Sequence, residues 1–181
     1  MTDPLLQMHL PAVMLVAIGL TLCWKQVRKM TGLRKLPDVD RLTRYHRLRR
    51  VRAIYWICFF VFALMTGIYS MLPRFYFLFL PLDLFHHPLI NSVGLLVLKV
   101  SIVWIVIAQI HIDKELYKYS RAIDSLPAME LVRYSEKILL SGMLVLFIGF
   151  FVTITNVIGL ILVAISWIAY GKAFYGKKRV E

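Results

Sequence analysis

Residues 138–170 read ILLSGMLVLFIGFFVTITNVIGLILVAISWIAY, an uncharged apolar run of 33 residues. As one helix it would be about 50 Å long, far more than the ~30 Å hydrocarbon core of a bilayer. The run therefore turns back on itself near Thr155-Asn156, since Asn tolerates turn conformations. It divides into spans 138–154 and 157–170. The alternative is a single tilted helix, partly outside the membrane, which would leave four spans rather than five.

Three further stretches upstream have the ~20 apolar residues that a spanning helix needs. They are 5–24 and 53–72, both without charge, and 89–112, whose one charge is Lys99. Hydrophobic residues make up 60% of the chain, against roughly 45–50% for soluble domains. A disordered chain is excluded, and a soluble globular domain is not expected. The first span has no basic residue before it and no A-x-A site after it, and Lys25, Arg28 and Lys29 follow directly. That is a stop-transfer pattern, so the segment is expected to remain as a span. The expected fold is one all-α polytopic membrane domain over 1–181.

The 22 basic residues are unevenly distributed. Eleven lie in 25–52, five in 113–137 and four after Tyr170, while 73–88 holds only Arg74. Alternate segments thus hold 20 and one, Lys99 aside. The positive-inside rule places the rich side in the cytoplasm of a cell inner membrane, or its organellar equivalent. The N-terminus is expected outside and the C-terminus inside, which requires an odd number of spans. The net charge of +12 is thereby a topology signal. Nucleic-acid binding is not expected, because the basic loop 25–52 holds one aromatic residue and no recognisable module.

Within that loop, Pro37-Asp38 reads as a helix start. Leu42, Tyr45, Leu48 and Val51 recur every three residues among Arg41, Arg44, Arg47, Arg49, Arg50 and Arg52. The pattern predicts a basic amphipathic helix over about 38–52 that runs into the second span. Anionic headgroups on the inner surface are its expected contact, and an acidic partner is the alternative. On the other side, residues 74–88 read RFYFLFLPLDLFHHP, too apolar for an aqueous loop and too short to span. They are expected in the outer interface, where aromatics concentrate, or against a neighbouring subunit. The third span is expected to continue as a solvated helix through Lys118, and Ser125 with Pro127 suggests the start of the next.

Lys99 is the residue of greatest chemical interest. A basic residue at the centre of a spanning helix costs about 2.5–3.5 kcal/mol on insertion scales, and it marks a functional site by default. All ten acidic residues are read as lying outside the spans. Lys99 must then snorkel, bond to neutral groups such as Ser92 and Ser101, or meet a partner or ligand from outside the chain. His9, His86 and His87 fall on the outer side and could hold haem or copper, although their spacing is not specific. Cys23 and Cys58 form no disulfide framework. No Walker A, GxSxG or HExxH motif occurs.

The C-terminal hairpin, with Gly142 and Gly149 ahead of a return span, resembles the isoprenylcysteine methyltransferase-like membrane proteins. Their Arg-His-Pro-x-Tyr motif is replaced here by Arg133-Tyr134-Ser135-Glu136-Lys137, so their chemistry does not carry over. His9 and Lys99 loosely resemble positions in the small membrane oxidases of the haem pathway, without a specific match. The leading expectation is a non-catalytic subunit, anchor or assembly component of a membrane complex, with other membrane subunits as partners. A haem- or copper-binding redox protein is second and a methyltransferase-like enzyme third.

Overall fold

The computed structural model describes residues 4–30, 45–82, 88–121 and 127–175. Five of its helices are long and apolar enough to cross a membrane. They are α1 (Pro4–Met30), α2 (Tyr45–Met71), α3 (Pro88–Ser120), α4 (Ala128–Ile154) and α5 (Val157–Phe174). A short 3-10 helix, Pro73–Phe79, lies between α2 and α3. The chain is thus an all-α bundle, and the fifth helix exists because the long apolar run breaks at Thr155.

Side-chain contacts sort the helix ends into two groups. At the basic end, Trp24 Nε1 donates to Asp113 Oδ2 at 2.7 Å, joining the last turns of α1 and α3. Arg52 Nη1 donates to Glu136 Oε1 at 3.3 Å, and Arg133 Nη2 to the Phe174 carbonyl at 3.3 Å. At the apolar-loop end, Ser70 Oγ donates to the Gln7 carbonyl at 2.8 Å, and Tyr76 to the Ile154 carbonyl. The helices therefore alternate in direction. α3, with 33 residues, outruns a ~30 Å core, and its last turns carry Asp113, Lys114, Glu115 and Lys118 past the apolar part.

The hairpin between α4 and α5 is closed by the apolar loop. Thr155 takes φ 24°, a left-handed conformation that ends α4. Asn156 caps α5, its side-chain oxygen accepting from the Gly159 amide. The orphan backbone groups of the turn then pair with the loop: Leu82 N donates to the Thr155 carbonyl at 3.0 Å, and Val157 N to the Leu80 carbonyl at 3.1 Å. Such pairing satisfies backbone groups that the fold buries at this turn.

α3 and α4 form the closest helix pair. Small residues recur every seven positions on both: Gly94, Ser101 and Ala108 on α3, and Ser135, Gly142 and Gly149 on α4. All six are buried. A methyl at Gly94 would stand 2.8 Å from the Thr153 amide nitrogen and 2.9 Å from its Cα. One at Gly149 would meet Leu98 Cδ2 at 2.9 Å, and one at Gly142 would meet Ile105 Cγ1 at 2.9 Å. The large residues of α3 thus sit over the glycines of α4. In lipid, where burial between apolar helices gains little, this close backbone approach supplies the attraction.

An aromatic cluster joins α2 to α4 within the rest of the core. Phe62 on α2 stacks on Phe147 and Phe150 of α4, with centroids 5.2 and 5.8 Å away. Tyr55, one end of the same stripe, reaches α5 and donates to the Ser166 carbonyl at 3.1 Å. Buried hydroxyls mostly bond back to their own helix, as Ser101 does to Leu98 and Thr153 to Gly149, both at 2.7 Å. Back-bonding lets these polar residues sit inside at little cost.

Candidate functional site

Lys99 follows Leu98 in α3, about 100° further around the helix. Leu98 is fully buried against Gly149, whereas Lys99 lies on the exposed side of the helix. Its neighbours on that side are Val93, Leu96, Val100, Val103, Ile107 and Ile110, spaced alternately three and four residues apart. Each is about half exposed or more, from 49% for Ile107 to 62% for Leu96. The result is an uncovered apolar ridge with one cation set into it. Lys99 is ten residues, about 15 Å, from Leu89 and thirteen, about 20 Å, from Ile112.

No hydrogen bond or ion pair joins Lys99 to another described residue. Ser101, offered by the sequence as a neutral partner, is buried on the other side of α3 and donates to Leu98. Ser92 shares the exposed side but stands two turns away.

Among the described residues, one carboxylate is buried in the bundle. Glu136, expected outside the spans in the helix that starts near Pro127, sits in α4 and is only 9% exposed. Arg52 holds its Oε1, while Oε2 is buried without a hydrogen-bond partner among the described residues. The signal was present in the chain. The buried stripe Leu140, Phe147 and Phe150 continues back through Glu136 to Val132 at helical spacing, so a helix beginning at Ala128 turns Glu136 inward. Glu136 is far from Lys99 along the bundle. Leu98 packs at Gly149, and Ile105 at Gly142, so Glu136 stands beyond the level of Ile105, toward the basic end.

The predicted basic helix is described from Tyr45 onward, where it forms the first turns of α2 and continues without a break into the span. Leu48 and Val51 are buried, Arg49 and Arg50 are exposed, and Arg52 turns to Glu136. Residues 38–44, including Asp38, Arg41 and Arg44, and the side chain of Arg47 lie outside the described residues. His86 and His87 do as well, so the outer histidine site is represented by His9 alone, half-buried on α1. Among the described residues, no three His, Cys, Asp or Glu side chains gather as a metal would require. Of the apolar loop, Phe75, Phe77, Leu78 and Leu80 are exposed, while Phe79 is buried and Tyr76 is drawn into the hairpin turn.

Compared with known proteins, the chain matches no family model, no curated protein and no solved structure.

Proposed function

We propose that this chain is a non-catalytic subunit, anchor or assembly component of a larger membrane protein complex. Its N-terminus lies outside and its C-terminus in the cytoplasm, with Arg49 and Arg50 among anionic headgroups. The single observation that carries this reading is Lys99, a cation on the exposed apolar ridge of a membrane-spanning helix. Exposed to lipid at that depth, it costs about 2.5–3.5 kcal/mol on insertion scales. A subunit laid over the ridge removes that cost and covers apolar surface at the same time. Exposed Phe75, Phe77 and Leu78 at the apolar-loop end offer a second apolar surface at the interface.

The test is purification of the full chain, from the cell that makes it, in a mild detergent. Native mass spectrometry and sedimentation then give its assembly state. The expected result is a complex of fixed stoichiometry with at least one other membrane protein. A lone chain, at every detergent concentration that keeps it folded, would overturn the reading.

A further inference from the structure

We propose that the α3 ridge receives a single transmembrane helix of another protein, one that carries an Asp or Glu at the depth of Lys99. This rests on the subunit reading above and names the chemistry of the partner. Three observations converge. First, Val93, Leu96, Val100, Val103, Ile107 and Ile110 make a continuous exposed strip, one helix wide, with the three-four spacing along which two helices pack. Second, Lys99 lies on that strip near the middle of the apolar part of α3 and has no bond to another described residue. Third, the described carboxylates of the helices lie toward the basic end, where Asp113 is engaged by Trp24 and Glu136 by Arg52.

Charge decides among occupants. A second copy placed on the ridge about a two-fold axis would set Lys99 near Lys99, a like-charge contact inside the membrane. Lipid tails leave the ammonium unpaired. A helix bearing a carboxylate at that depth neutralises the ammonium and gains a charge-assisted hydrogen bond, while its apolar residues pack along the ridge.

The experiment uses a defined probe. The full chain is labelled with a donor dye at Cys23, which is exposed while Cys58 is buried, and reconstituted in phosphatidylcholine vesicles. Acceptor-labelled polyleucine helices are added, one with a central Asp and one without. Energy transfer is expected to show about tenfold tighter association for the Asp helix. Lys99→Met is expected to abolish the difference, and Lys99→Asp to transfer the preference to a polyleucine helix with a central Lys. Equal association of both helices with the native chain would overturn the proposal. So would an Asp preference that survives Lys99→Met, or self-association of the native chain that excludes the Asp helix. A chain that co-purifies with its subunits yet shows no Asp preference defeats this inference alone. A chain that purifies by itself defeats the subunit reading.

Discussion

The Ser70 hydroxyl donates to the Gln7 carbonyl at 2.8 Å, across the interface of α1 and α2. Gln7 is four residues before Pro11, which lies inside α1 and has no amide hydrogen to return to that carbonyl. Ser70 thus supplies, from a neighbouring helix, the donor that Pro11 removes. Ser70→Ala is expected to cost about 1 kcal/mol of stability. With Pro11→Ala, which restores the helical donor, the same change should cost close to nothing. Steric-trap unfolding of the four variants measures the coupling, and additive effects would show that the two sites are independent.

The seven-residue glycine pattern makes a sharper distinction. Gly94→Ala forces a methyl into the Thr153 backbone, 2.8 Å from its nitrogen, and should destabilise by about 1–3 kcal/mol. Gly67→Ala and Gly19→Ala meet nothing within 4 Å and should be neutral or slightly stabilising, since Ala is the better helix former. Thermal unfolding in detergent compares them. Equal tolerance at Gly94 and Gly67 would contradict the register of α3 on α4.

At the hairpin turn, Asn156 accepts from Gly159 and donates to the Tyr76 hydroxyl at 3.1 Å. Asn156→Ala should cost about 1–2 kcal/mol, the range of a lost helix cap. Tyr76→Phe should also destabilise, and the double variant should lose less than the sum because one hydrogen bond is shared. Limited proteolysis of the loop near Leu80 offers an independent readout, with faster cleavage expected in both single variants.

The Arg52–Glu136 contact is one-sided, with 45% of the Arg52 side chain exposed and 11% of the Glu136 side chain. Arg52→Ala abandons a mostly buried carboxylate and should destabilise by about 1–3 kcal/mol. Glu136→Gln keeps an acceptor for the guanidinium and should cost less. In the Glu136→Gln background, Arg52→Ala should lose most of its effect. A full Arg52→Ala penalty in that background would mean that Arg52 acts through something other than Glu136.

Orientation has a direct test. Met71 is exposed at the apolar-loop end and Lys172 is exposed at the basic end. With Cys23 and Cys58 replaced by Ser, single cysteines at these two positions should label from opposite sides of intact cells or vesicles. Met71→Cys is expected to react from outside, and Lys172→Cys only after permeabilisation. Labelling of both from one side would sink the five-span topology.

How far the sequence reaches depends on which physical contrast it can express. Lipid against water is a large contrast. It makes apolar length readable, and it separates 138–170 into two spans at Thr155-Asn156, where α4 and α5 are indeed divided. The same contrast locates Lys99 near the middle of the apolar part of its helix. Lipid against protein interior is almost no contrast, because both are apolar. Leu98 and Val100 are alike to the eye, yet one is fully buried and the other half exposed. Composition therefore could not say which side of α3 faces in, or that Lys99 faces out and Ser101 in. Those choices were made by packing, which in a bilayer depends on where backbones can approach. The Gly94 and Gly149 positions were visible all along, but their meaning appeared only when Thr153 and Leu98 were found lying against them.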